Sequence, residues 1–142
     1  MKLKKFAQEV AGFTLIEMLT AIVVAGILVA IAMPRFYTLL PGIRLASAAR
    51  QVATDLQLAR MRAISLRTAQ TVAFVPPTGV YTFGPDNRDL NQLYPGTTIT
   101  NVAGGNPTFT TVGAANATTV TLTNNGANRT ITVNAAGRVF TQ

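Results

Sequence analysis

The only acid within a long apolar stretch of the sequence is Glu17. Residues 13–33 contain 21 residues and no other charged side chain. A carboxylate in such surroundings is costly to remove from water and is usually paired with a positive charge. Glu17 therefore predicts an ionic contact with a cationic group.

The other side chains capable of chemistry are few. The sequence lacks histidine and cysteine and has five acidic residues, of which Asp86 and Asp89 fall in a predicted loop with Arg88 between them. These two acids suggest a catalytic carboxylate pair or a Ca²⁺ site, but there are too few oxygen ligands for a dedicated calcium loop. We interpret them as a surface turn and expect no catalytic residue, no metal and no cofactor.

Positive charge is unevenly distributed. The net charge is +7, the lysines are Lys2, Lys4 and Lys5, and every later cation is an arginine. Without residues 1–12 the net charge is +5, because three lysines and Glu9 are removed. A basic surface attracts nucleic acid, acidic headgroups or an acidic protein.

The element that carries Glu17 is predicted to be a helix. As a helix, residues 13–33 reach about 31 Å, enough to cross a bilayer, and Pro34 would weaken or kink the helix at the exit. Three interpretations are open: a secretory signal cut after Ala30-Ile31-Ala32, an uncleaved anchor, or a leader cut before the apolar stretch. The first two give Glu17 no use.

The following residues change in pattern twice. Pro41-Gly42 predicts a break, and residues 44–67 then have apolar side chains at helical spacing from Leu45 to Leu66, with arginines expected on a solvated face. From residue 69 the pattern is β-rich, and Asn125-Gly126 predicts a hairpin in an antiparallel meander. The predicted strands are 71–75, 80–83, 97–102, 108–112, 118–123, 129–134 and 138–141.

The segment "GFTLIE", residues 12–17, resembles the processing site of type IV prepilins and pseudopilins. The resemblance implies a leader over residues 1–12, cleavage after Gly12 by the prepilin peptidase, and N-methylation of Phe13. It also implies that Glu17 acts in filament assembly by pairing with the Phe13 amine of a neighbouring subunit. The amine of its own Phe13 is the alternative partner.

The fold implied is α+β: a transmembrane helix over residues 13–34, an amphipathic helix over 35–68 and a small antiparallel β domain over 69–142. The helix "ASAARQVATDLQLARMRAISLRTAQTVAF" and the terminal "TVTLTNNGANRTITVNAAGRVF" resemble the GspH/FimT-type minor pseudopilins and minor pilins. This implies a single-pass protein of the bacterial inner membrane whose β domain is periplasmic. Its expected partners are other pilins or pseudopilins and the inner-membrane assembly platform.

Two functions follow from this resemblance. The first is an H-type pseudopilin of the type II secretion system, and the alternative is a FimT-type minor pilin in pilus biogenesis or DNA uptake. DNA-uptake members carry a Gly-Arg-x-Arg motif, but Gly137-Arg138-Val139-Phe140 has Phe in place of the second arginine. Arg138, with Arg129 beside it if their strands pair, is the candidate DNA contact, and the competing interpretation is that Arg138 only caps a turn.

Overall fold

The computed structural model describes residues 12–142, so the first eleven residues of the predicted leader lie outside the described part of the chain. The described residues divide into two compact units, one ending at Tyr37 and the other comprising Thr38–Gln142.

Helix α1 comprises Leu15–Leu66 and has 52 residues. The break predicted at Pro41-Gly42 is wrong, since both residues are helical. Proline removes one hydrogen bond and glycine lowers helix propensity. Buried Leu45, Ala48 and Ala49 follow within two turns, and their packing offsets these local costs.

The predicted apolar stripe of α1 faces the core over most of its length. Leu66 is an exception, because it is 64% exposed at the last helical residue. A further residue of the buried face is charged, namely Asp55. The buried residues of the helix are Leu45, Ala48, Ala49, Val52, Asp55, Leu56, Ala59 and Ala63.

The strands form two antiparallel sheets of four strands each, where the sequence predicted one meander. The first sheet has the order β3-β2-β1-β5 and the second β4-β6-β7-β8. Strands of the first sheet are β1 Gln70–Phe74, β2 Val80–Phe83, β3 Asp86–Asp89 and β5 Thr108–Phe109. Strands of the second are β4 Thr98–Ala103, β6 Thr118–Asn124, β7 Ala127–Val133 and β8 Val139–Thr141.

Two local predictions in the first sheet are wrong. The predicted turn around Asp86 is strand β3, which pairs with β2 through four residues. The strand predicted over 108–112 ends at Phe109, because Thr110 and Ala114 close a loop through a backbone hydrogen bond of 2.8 Å. A short helix α2, Leu90–Leu93, follows β3, and Asp89 caps it by accepting a hydrogen bond from the Asn91 amide.

The predicted hairpin in the second sheet is present. Asn124 pairs with Ala127, which leaves Asn125-Gly126 as a two-residue loop, and both residues have positive φ, 49° and 80°. Such a loop matches the twist of the flanking strands. Inward residues of β6 and β7 then alternate with outward ones and join α1 and both sheets in one core: Val120, Leu122, Ile131 and Val133.

Candidate functional site

The start of α1 places Glu17 in the first helical turn. Thr14 precedes the helix, and its side-chain oxygen accepts a hydrogen bond of 3.3 Å from the Glu17 amide. Thr14 is thus the N-cap, and Glu17 is the third residue of the helix, where an acid is favourable towards the helix dipole. This capping role was not predicted, although a Thr three residues before a Glu is its usual sequence pattern.

The Glu17 carboxylate nevertheless has no partner among the described residues. Glu17 is exposed, and its hydrogen bonds there involve only its backbone. Gly12 and Phe13 precede the helix, and Phe13 is 81% exposed. An acid and an aromatic residue in this state are available for contacts outside the chain.

The first part of α1 buries none of its apolar side chains within the chain. Every residue from Gly12 to Leu39 is exposed, and the helix is long and apolar enough to cross a membrane. An apolar surface of this extent is covered by lipid or by other subunits in a working protein.

The domain after Tyr37 is tied to its helix by polar contacts at three places. The first surrounds Asp55, whose Oδ2 accepts a 2.5 Å hydrogen bond from the Tyr81 hydroxyl. Gln51 donates to both carboxylate oxygens at 3.2 Å, and Arg88 Nε lies 3.8 Å from Oδ2, as an ion pair without a hydrogen bond. The pKa of Tyr81 is raised, mainly because the hydroxyl is buried and secondly because it donates its hydrogen bond to Asp55.

The second and third contacts involve helix arginines that were expected on a solvated face. Arg62 pairs with Asp86 at 2.9 Å, and its guanidinium carbon lies 5.0 Å from the centre of the Phe83 ring. Arg60 Nε donates a 2.9 Å hydrogen bond to the Gly113 carbonyl oxygen. Asp86 and Arg88 therefore belong to the helix–sheet interface rather than to a surface turn. The packing of α1 on β3 brings them next to Arg62 and Asp55 respectively.

Gly137 of the Gly-Arg turn has a structural role. Its φ is +71°, and a Cβ on it would stand 2.0 Å from the Gly113 oxygen that accepts the Arg60 hydrogen bond. Real Cβ atoms do not approach an atom so closely, so only glycine fits here. Arg138 is exposed, and its backbone amide donates to Asn134 Oδ1 at the same turn.

The two candidate DNA-contacting arginines are not brought together. Arg138 lies beside Asn134 at one end of the β7–β8 pair, whereas Arg129 lies five residues earlier on β7, about 17 Å along a strand. Arg129 instead lines a recess with Arg50 of the helix. Phe140 is paired with Thr132 on the outer face and is 46% exposed, so it does not pack in the core.

The described residues hold no group of three or more acids suited to a metal ion. Asp86 and Asp89 are engaged by Arg62 and by the α2 N-terminus respectively.

Two family models match this sequence. The one described as type II transport protein GspH matches residues 48–137, more than half of the chain. The chain belongs to the GspH family. The other, described as a prokaryotic N-terminal methylation motif, matches residues 9–33, which include Gly12, Phe13 and Glu17. No curated protein sequence is significantly similar to this GspH-family chain.

Solved structures share the fold. The type IV minor pilin FimU of Pseudomonas aeruginosa has 21% identity and a TM-score of 0.58, over 69% of this chain and 87% of that one. The minor pseudopilin EpsH of Vibrio cholerae has 14% identity and a TM-score of 0.58, over 70% of this chain and 96% of that one. These structures confirm the predicted α+β pilin-like fold, and the two family models confirm the type IV pilin and pseudopilin family.

These findings define the kind of protein. It is a minor pilin or pseudopilin with an N-terminal methylation motif, and members of this family are structural subunits that are generally non-enzymatic. The motif and the exposed apolar helix together indicate membrane anchoring.

Proposed function

We propose that this chain is the H-type minor subunit of a type II secretion filament. The observation that carries the assembly role is the exposed Glu17 carboxylate, which lacks a partner among the described residues and sits on an exposed apolar helix. The family description, type II transport protein, supports the assignment to secretion.

The proposed maturation begins with hydrolysis of the peptide bond between Gly12 and Phe13 by the prepilin peptidase. Residues 1–12 leave as the leader, and the new Phe13 amine is methylated but keeps its positive charge. Phe13 lies outside the helix and is well exposed, which supports its access to an enzyme.

Glu17 then sets the register of the subunit in the filament. The Phe13 amine of a neighbouring subunit reaches Glu17 when two helices are offset by about one turn, near 5 Å. A buried ion pair contributes little net stability, but breaking it leaves an uncompensated charge in an apolar setting. The pair therefore selects one axial offset over others.

The membrane helix, the amphipathic helix and the β domain each have a role in this assembly. Residues 13–34 anchor the subunit in the bacterial inner membrane and later in the filament, and 35–68 form the helix that carries the β domain, 69–142, in the periplasm. Its partners are the other pseudopilins and the inner-membrane assembly platform.

The test of processing is mass spectrometry of the protein purified from cells that hold the whole machinery. We expect a mature N-terminus at methylated Phe13. A mature N-terminus at Met33, or a retained Met1, is the result that contradicts the proposal.

The alternative machine is the type IV pilus, with the chain as a FimT-type minor pilin. The fold match to the minor pilin FimU is as good as that to the pseudopilin EpsH, which supports keeping both. Deletion of the gene, followed by parallel measurement of protein secretion and of surface pili, separates them. Loss of secretion alone supports the role in the type II secretion filament, and loss of pili alone supports the role in the type IV pilus.

The same alternative includes DNA binding through Arg129 and Arg138. Replacing both by Ala in the full chain is expected to lower DNA affinity and the steepness of its salt dependence if they contact phosphates. Unchanged affinity and an unchanged salt slope would end this part of the alternative.

A further inference from the structure

We propose that a recess between α1 and the second sheet binds a side-chain carboxylate of an acidic subunit other than this chain. The recess has a volume of about 220 Å³ and is lined by Ala46, Ala49, Arg50, Arg129 and Thr141. This inference rests on the proposed function, in that the chain works in a filament beside other subunits.

The recess follows from the packing of helix and sheet. On β7 the inward positions Val133 and Ile131 are buried, and Arg129 occupies the next inward position, paired with Leu122. The facing helix has small residues, Ala46 and Ala49, which leave space where larger side chains would fill it. Arg50 follows Ala49 and adds a second guanidinium to the rim.

Neither guanidinium of the recess has a hydrogen bond or an ion pair within residues 12–142. In this they differ from Arg60 and Arg62, which are bonded to the Gly113 oxygen and to Asp86. Two positive groups around one partly enclosed space repel each other and together favour a bound anion. Guanidinium groups suit oxygen anions, with which they form short charge-assisted hydrogen bonds.

The size and position of the recess favour a carboxylate over a nucleic acid. The volume lies below the range of about 300–1,000 Å³ that small-molecule sites occupy, so it suits the head of one side chain. Nucleic acid binding gains strength from many cations along a track. Arg138, the other exposed arginine of the β7–β8 pair, lies about 17 Å away along the strand from Arg129.

The side chains of a second copy do not supply the missing acid. Asp55 is buried and bonded, Asp86 is paired with Arg62, and Asp89 caps α2. Glu17 belongs to the apolar segment, and Glu9 lies in the proposed leader, outside the described residues. The partner is therefore a different, acidic chain, and the recess favours a mixed contact over self-association.

The experiment places a photo-crosslinking amino acid at Ala46 of the full-length chain in its own cells. After irradiation, the cross-linked peptides are sequenced. We expect them to contain an Asp or Glu of another filament subunit. We expect Arg50→Gln/Arg129→Gln to lower the cross-linking yield about tenfold, the effect of losing 1.4 kcal/mol of binding.

The matched control is Arg44→Gln/Arg67→Gln, which removes the same charge from arginines outside the recess. It should keep the wild-type yield. Because the guanidinium groups of Arg50 and Arg129 bond to no other described residue, both double variants should unfold at the same denaturant concentration as wild type. Equal losses in the two double variants would contradict the proposal.

Cross-links to a second copy of this chain, or to nucleic acid, would also overturn the inference. So would the absence of any cross-link when the chain is found in sheared filaments and carries a methylated Phe13. This last result would agree with the proposed function as a filament subunit, but it would show that the recess does not bind another subunit. A chain absent from filaments and not cut at Gly12 refutes the proposed function, and the inference fails with it.

Discussion

The segment up to Tyr37 and the domain after it use their side chains in opposite ways. In the first, every residue is exposed from Gly12 onward, and the acid Glu17 lacks a partner among the described residues. In the second, 18 apolar residues form one core, and Asp55 on the helix is buried under Tyr81. The first segment leaves its apolar side chains exposed and its acid without a partner among the described residues, whereas the second engages each of its three acids.

This difference determines where a substitution has its effect. A change in the first segment should alter assembly but not the stability of the domain, and a change at a polar contact of the domain should do the reverse.

The first prediction concerns Glu17→Ala. Removing the carboxylate leaves the neighbouring amine uncompensated, so incorporation into filaments should fall at least about tenfold, while cleavage after Gly12 continues. The measurement is immunoblotting of sheared filaments, with mass spectrometry of the mature N-terminus. Normal incorporation of this variant would contradict the proposal that Glu17 forms an ion pair with another subunit.

Thr14→Ala is the control for the local role of Glu17. It removes the N-cap and costs the helix about 1 kcal/mol, but it keeps the carboxylate. If Glu17 acts through an ion pair with another subunit, Thr14→Ala should assemble far better than Glu17→Ala. Equal defects in the two variants would instead indicate that the helix start is what matters.

The second prediction compares two glycines of positive φ in the domain. Gly137→Ala places a Cβ against the Gly113 oxygen and should lower the free energy of unfolding by about 3 kcal/mol or more. Gly126→Ala has a similar φ, +80°, but open space around it, so it should cost only about 1 kcal/mol. The measurement is chemical denaturation of the full-length protein, and equal losses would show that the close contact is unimportant.

The third prediction concerns the buried hydrogen bond from Tyr81 to Asp55. Tyr81→Phe leaves the carboxylate without its shortest donor and should cost about 1.5–3 kcal/mol of stability. Combined with Asp55→Asn in a double-mutant cycle, the two changes should show a coupling of about 1 kcal/mol or more. Purely additive losses would mean that the two groups do not act together, and filament incorporation should change only as far as the domain unfolds.

The fourth prediction is a loss of stability in alkali that comes from the same pair. The pKa of Tyr81 is raised in the folded domain, whereas an unfolded tyrosine titrates near pH 10. Below pH about 10 the Tyr81 contribution is fully present, and it is lost as pH rises further, because the unfolded chain releases its proton first. Tyr81→Phe should therefore flatten the fall of unfolding free energy with pH above 10. No lysine follows Lys5, so few other groups titrate there.

The same contrast explains how much was predictable from sequence. The methylation motif that contains Gly12, Phe13 and Glu17 was predictable, because such a motif depends on residues that are neighbours in sequence. The hairpin at Asn125-Gly126 was identifiable for the same reason, since its positive φ values are local. Asp55 was not assigned to the core, because its partners Tyr81 and Arg88 are 26 and 33 residues away in sequence.

Strand β3 was missed through a related limit of local patterns. Its sequence, Asp86-Asn87-Arg88-Asp89, has turn-forming composition, but pairing with β2 and the ion pair to Arg62 hold it extended. The recess of Arg50 and Arg129 was missed too, as 79 residues separate them and only the packing of α1 on the second sheet brings them together.

The smallest effect is expected at the Arg62–Asp86 ion pair, because its side chains are partly exposed to solvent. Both side chains are about one third exposed, 33% and 39%, so water screens their charges and Asp86→Asn should cost at most about 1 kcal/mol. Arg62→Gln should cost somewhat more, because it also removes the contact with the Phe83 ring, about 0.5–1 kcal/mol. The unfolding free energies of the two single variants and the double variant measure both terms. A loss in Asp86→Asn as large as that in Tyr81→Phe would show that the domain depends on this partly exposed pair as much as on the buried Asp55 contact, and that burial does not determine the strength of its polar contacts.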